Sequence, residues 1–175
     1  MEKDTINELQ ASGTITSKEF VNYNLFHTRK FRFRYFWLLF LLFFLLILLD
    51  FPFDFTDSIL TTVVVGLIVA LFVSWLVRLL IQRRATNEYK SDNLIQQEIN
   101  FTVNELGITQ EIKDRSKGFF DWESIIKGYE FEKTFILYVS KNKAILLPKR
   151  FVKSTEDLEQ LKKMVRQKTK IQLMN

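Results

Sequence analysis

The chain has 175 residues, 47% of them hydrophobic, with 25 basic and 20 acidic side chains and a formal charge of +5. It has no cysteine and a single histidine, His27, which excludes disulfide frameworks, thiolate metal sites and cysteine nucleophiles and leaves no histidine cluster for a metal. The near-zero mean hydropathy of +0.01 averages two extremes: residues 35–81 are almost wholly apolar, and residues 82–175 read as a soluble domain long enough for a small core.

Residues 1–16 are polar and read as partly loose, with Gly13–Thr16 able to form a short strand. Thr16 or Ser17 is placed to cap a helix from about Lys18, with Glu19 in its first turn. Phe20, Tyr23, Leu25 and Phe26 follow, then the basic run His27–Arg34, in which the lone His27 reads as a solvated or headgroup-level side chain. Residues 1–34 are expected to form a cytoplasmic N-terminal segment with a short helix and a basic flank.

The first apolar run is Tyr35–Leu49. It falls slightly short of the roughly 20 residues that cross a bilayer. Phe31, Phe33, Phe51 and Phe53 lengthen it, and Arg32 and Arg34 can snorkel to the interface. A cleaved signal peptide fits less well, because no small-x-small site follows. The second run, Ile59–Ile81, is long enough by itself. A short turn with Pro52, Asp50, Asp54 and Asp57 parts the two runs. Residues 35–81 therefore predict a membrane α-helical hairpin of two transmembrane spans.

Charge sets the orientation. Arg29, Lys30, Arg32 and Arg34 precede the first run, Arg78, Arg83, Arg84 and Lys90 end or follow the second, and no Lys or Arg lies between Arg34 and Arg78. The positive-inside rule puts both termini in the cytoplasm. Trp37 and Trp75 sit at the depth of an inner aromatic belt. Thr62, Gly66, Ala70 and Ser74 recur every four residues and share a helix face, either against the first span or at a homodimer seam. Neither run carries Asp, Glu or His in its middle, which argues against an ion or proton pathway.

Beyond Asn87 the pattern becomes that of a domain, expected over residues 86–175. Gln97–Val103 alternates as a half-buried strand, and Ile108–Lys113 reads as the next, across the turn Asn104–Gly107. A turn at Arg115–Gly118 and the segment Phe120–Trp122 lead into strands at Ser124–Phe131, Thr134–Ser140 and Ala144–Leu147, the last ended by Pro148. Ser154 is a good N-cap for a final helix with Glu156 and Asp157 early, Lys162, Lys163, Arg166 and Lys168 late, and an apolar stripe of Leu158, Leu161 and Val165. Strands closed by a helix make a small α+β domain.

The segment Gly118–Val152 resembles the C-terminal domain of the YcxB-like family of bacterial membrane proteins. The matching features are Trp122 with Ile125, Glu130, the Leu137-Tyr138 strand and Leu147-Pro148-Lys149-Arg150-Phe151; Thr14–Phe20 resembles the family's opening. The resemblance implies a pleckstrin-homology-like fold, a bent antiparallel sheet closed by a C-terminal helix, in a bacterial plasma membrane. It supplies no activity to transfer. Trp122 and Phe151 read as core.

No catalytic, cofactor-binding or metal-binding constellation is visible. Asp121 with Glu123 and Glu130 with Glu132 are carboxylate pairs without the partners that hydrolytic chemistry needs. Lys113, Arg115 and Lys117 alternate through a turn and can meet anionic lipid headgroups. Lys149 and Arg150 belong to a second basic cluster, with Lys141, Lys143 and Lys153, that can do the same. Nucleic acid is not an expected partner, because the cations gather where topology already explains them. The expected function is a non-enzymatic membrane-anchored binding or adaptor module at the inner leaflet. Its partners are the bilayer, anionic headgroups and an unidentified protein or a second copy. The alternative is an accessory or immunity-type protein that acts through its spans.

Overall fold

The computed structural model describes residues 8–50, 57–169 and 171–173, with side chains over 8–45, 61 and 63–169. The chain divides into two compact units. One runs from Phe20 to Ser91; the other joins the residues up to Glu19 with those from Asp92 onward.

The first unit is helical. Helix α1, Ser17–His27, starts outside it and runs into it. The hydrogen bonds from Thr28 N to Asn24 O at 3.1 Å and from Arg32 N to Thr28 O at 2.9 Å carry helical bonding on into α2, Arg29–Asp50. Helix α3 is Asp57–Ser91. Helices α2 and α3 pack antiparallel: Phe40 and Phe43 lie at Gly66, while Phe31, Tyr35 and Leu39 line a small apolar gap with Ala70, Ser74 and Val77. A Cβ on Gly66 would stand 2.8 Å from a Phe43 ring carbon, so the residue must be small for the helices to come this close.

Among the described residues one helix is long and apolar enough to cross a membrane, Val63–Ser91, and only 11% of its apolar window is buried. Of the two spans expected from the sequence, this one meets the requirement of length and apolarity among the described residues. Helix α2 opens on Arg29, Lys30, Arg32 and Arg34, and its described side chains end at Leu45. The turn with Pro52 and Asp54, Phe51 and Phe53, and the side chains of Asp50, Asp57 and Thr62 lie outside the described residues.

The second unit is built on two four-stranded sheets. One has the order β1-β2-β3-β4, from Leu9–Thr14, Glu98–Val103, Gly107–Ile112 and Ser116–Asp121, all antiparallel. The other has the order β7-β6-β5-β8, from Ala144–Pro148, Thr134–Tyr138, Lys127–Phe131 and Ile171–Leu173. Its strands are antiparallel except for β8, which joins β5 in parallel. A 3-10 turn, Lys149–Phe151, follows β7, and helix α4 is Thr155–Lys168. Ser154 caps α4 by accepting from Asp157 N at 3.1 Å, and Leu161, Met164 and Val165 are buried. In β2 the alternation sends Ile99, Phe101 and Val103 inward. Phe101, Phe135, Phe151, Ile108, Leu137, Leu147 and Val165 are among the fully buried side chains.

Four details depart from the sequence reading. The N-terminal strand covers Leu9–Thr14, and it is the edge of the first sheet, pairing along β2 from Leu9 opposite Val103 to Thr14 opposite Glu98. The N-terminal segment 1–34 is therefore shared between the units, and residues 15–97 are an insertion between two neighbouring strands. The turn expected at Arg115–Gly118 is tighter, which frees Ser116–Asp121 to form β4. Asp114 takes φ 57°, the left-handed conformation that reverses the chain. Strand β5 begins at Lys127 because residues 122–125 turn: the Asp121 carboxylate accepts from Ser124 N at 2.6 Å, and Ile125 N donates to Trp122 O. Strand β8 carries no signal in the sequence.

Candidate functional site

The Pro148–Phe151 corner grips the N-terminal strand. Phe151 is 1% exposed, stacks against Phe101 and lies over Gly13, where any Cβ would come within 2.5 Å of its ring. Arg150 then reaches the connection out of β1. Its Nε and Nη2 donate to the two Glu19 carboxylate oxygens at 2.8 Å each, and Nη2 also donates to Thr14 O at 2.5 Å. This is the bidentate fork that favours arginine over lysine.

Glu19 is held from both sides. Its Oε2 accepts from Thr16 N at 2.8 Å, and Thr16 Oγ1 accepts from Glu19 N at 3.3 Å, a capping box at the start of α1. Burial alone would raise the Glu19 carboxyl. The Arg150 guanidinium and the Thr16 donors outweigh burial and hold it below the ordinary carboxylate value, while Glu19 raises Arg150 in return.

Lys149 points elsewhere. Its ammonium donates to Glu130 Oε1 and stands 5.5 Å from the Phe135 ring centroid, and Arg166 lies 3.6 Å from the other Glu130 oxygen. Burial again opposes ionisation of Glu130, and the Lys149 hydrogen bond with the charges of Lys149, Arg166 and Lys162 wins, lowering its pKa. Trp122 is 7% exposed and donates from Nε1 to Asn104 O at 2.9 Å, which ties the β2–β3 turn to the segment after β4.

The five cations expected to meet lipid therefore divide. Lys113, Arg115 and Lys117 stand exposed in and beside the β3–β4 turn, with Lys117 3.5 Å from Glu111. Lys149 and Arg150 are engaged in the ion pairs just described. Glu19 and Gly13 are the partners that sequence reading did not assign; the Thr-x-x-Glu spacing from Thr16 to Glu19 was their one local signal. On α3, Gly66 and Ala70 are buried and Ser74 is partly buried, all toward α2. A polar groove of 490 Å³ lies along β1, lined by Gln10, Ser12, Asn100, Thr102, Lys153 and Asp157 among others.

Residues 103–165 match the family model described as YcxB-like protein. This match supports the resemblance to the YcxB-like family read from Gly118–Val152. No curated protein and no solved structure matches the chain. The matched span runs from the last residue of β2 into α4. It holds Arg150 and Phe151 but not Gly13, Thr14 or Glu19, so the YcxB-like segment reaches outside itself for the strand that closes its first sheet.

Proposed function

We propose that the chain is a two-span protein of a bacterial plasma membrane. Helices α2 and α3 cross the inner membrane, both termini are cytoplasmic, and the YcxB-like domain is a non-enzymatic binding or adaptor module at the inner leaflet. We read the sheet unit as pleckstrin-homology-like, a bent antiparallel framework closed by α4. The observation that carries this reading is a coincidence of charge and surface. Leu38, Leu41, Leu42, Leu45, Val65, Ile68, Leu71 and Phe72 are exposed on the helix pair, a surface suited to hydrocarbon and costly in water. The cations lie only outside Arg34 and Arg78, which fits entry and return on one side of the bilayer.

A reporter active only outside the cytoplasm tests the topology. It is expected to work when inserted at Asp54 and to fail when fused after Asn175. The opposite pattern would overturn the reading.

A further inference from the structure

The helical unit holds an arginine whose donors are only partly satisfied. Arg32, in the first turn of α2, lies against α3, where it lines an apolar gap of 110 Å³ with Tyr35, Leu39, Ala70, Ser74 and Val77. Its Nη2 donates to Leu25 O at 3.0 Å. Its Nε is shut off from solvent and has no acceptor among the described residues. A charged donor left in this way costs free energy until an acceptor meets it.

Arg78 adds a second cation at the same end of the helix pair. It follows Gly66, Ala70 and Ser74 at four-residue spacing, so it springs from the face of α3 that meets α2. Its charge is felt at Arg32, and like charges oppose each other there. Among the described residues neither arginine has a carboxylate partner. Glu88, the acid next after Arg78 in the chain, is ten residues on, about 15 Å of helix. The neighbouring cations do not share the place. Arg29 turns onto the Phe26 ring, 4.2 Å from its centroid. Lys30, Arg34, Arg83 and Arg84 are exposed, and none of them is among the charges felt at Arg32.

We propose that Arg32 and Arg78 hold the headgroup phosphate of one anionic phospholipid, with part of an acyl chain seated in the apolar gap between α2 and α3. The proposal rests on the inner-membrane reading above and names a ligand for the helix pair. A phosphodiester offers acceptor oxygens to Arg32 Nε and a negative charge to both guanidiniums. An anionic headgroup leaves the two arginines with one net charge, and a zwitterionic one leaves them with two. The gap selects a lipid over a free anion. Of its lining, Phe31, Tyr35 and Leu39 are exposed, so it opens onto the surface of the helix pair, where a chain enters from the side. Its apolar walls suit hydrocarbon and give a soluble anion nothing to bind.

Native mass spectrometry of the full chain, released from detergent after exposure to an equal mixture of phosphatidylglycerol and phosphatidylcholine, counts what stays bound. One phosphatidylglycerol per chain is expected, in preference to phosphatidylcholine. Arg32→Gln and Arg78→Gln should each weaken its retention about tenfold or more, the scale of one charge-assisted hydrogen bond. Arg78 is exposed, so its variant keeps the fold and carries the test alone if Arg32→Gln loosens the helices. Ser74→Leu, which fills the gap and leaves both arginines in place, should also weaken retention, and Arg34→Gln should leave it unchanged. Equal retention of the two lipids, or unchanged retention in Arg78→Gln, would overturn the proposal. Displacement by inorganic phosphate at fixed ionic strength would give the arginines to a soluble anion, and a lipid-free dimer would give the gap to a second copy; either overturns it. The chain's lack of cysteine allows a single fluorophore on Leu41→Cys in lipid nanodiscs, which separates the two readings. A label untouched by an acyl-chain quencher sinks the membrane reading itself, whereas a quenched label on a chain that retains no lipid sinks only the lipid site.

Discussion

In the sheet unit Phe101, Phe135 and Phe151 are at most 1% exposed, whereas on α3 Ile68, Leu71 and Phe72 are 61%, 58% and 58% exposed. Similar side chains are thus buried in one unit and displayed in the other. The sheet unit follows the rule for water: apolar side chains turn inward, and the alternation of β2 separates them from the polar ones. Between α2 and α3 the helix unit buries small residues, Gly66 and Ala70, and turns large ones out, while its buried aromatics, Phe20 and Phe26, belong to α1. That is the arrangement expected when the surroundings are as apolar as leucine and association depends on close packing. Within the sheet unit, polar contacts at the corner of Arg150, Glu19 and Thr16 fix the way out of β1.

The comparison breaks most readily at β1. Removing residues 1–15 deletes Leu9, Ala11 and Ile15, all buried, and strips the ladder from β2. At about 1–3 kcal/mol for each larger side chain, with the lost strand added, the sheet unit is expected to fall to the limit of stability, since small domains have about 5–15 kcal/mol in total. Residues 92–175 alone should melt broadly or associate through the bare β2 edge. A peptide of residues 8–19 added in trans should restore a sharp transition. A fragment that folds fully without it would refute the role given to β1.

Phe151→Ala is next in size. A buried phenylalanine reduced to alanine costs about 3–5 kcal/mol, and this one also leaves a gap over Gly13. Thermal unfolding followed by near-ultraviolet circular dichroism should show the loss, while helix packing, read by cross-linking between α2 and α3, should not change. Gly66→Ile inverts the test. A branched side chain meets Phe43, where even a Cβ comes to 2.8 Å, and overpacking costs about 1–3 kcal/mol. Cross-linking between the helices should weaken, and the sheet unit's transition should stay where it is.

Arg150→Gln is expected to be the mildest. The pair is partly exposed, at 48% for the Arg150 side chain and 20% for Glu19, so the loss should be about 1 kcal/mol or less. Its signature is pH. Glu19 and Glu130 both have folded-state pKa values below their ordinary ones. They therefore add stability that is present above the unfolded carboxylate value of about 4.3 and is lost as pH falls through the lowered folded values. Thermal stability of the sheet unit should drop on acidification below that point. Glu19→Gln should make the drop shallower, and an unchanged slope would show that the pair contributes nothing to folding.

The sequence by itself determined whatever a local run of side chains can specify. Ser154 capping α4, the alternation of Ile99, Phe101 and Val103, the apolar stretch of α3 and the flanking cations each depend on neighbours within a few residues. The motif from Leu147 to Phe151 was also legible, and it led to the YcxB-like family. Only the tertiary structure decided where that motif points. Arg150 meets Glu19 across 131 positions and Lys149 meets Glu130 across 19, so two cations that resemble lipid contacts in sequence are tied down within the fold. Strand β1 was hidden for the same reason: LQASGT is weakly apolar, and it becomes a strand because β2 offers a free ladder and Phe151 accepts Gly13 beneath it. Lys143 stands over the ring of Phe120, a contact made when the β6–β7 turn comes against β4. A turn's own residues fix its charge, but the packing of the sheets fixes what that charge stands beside.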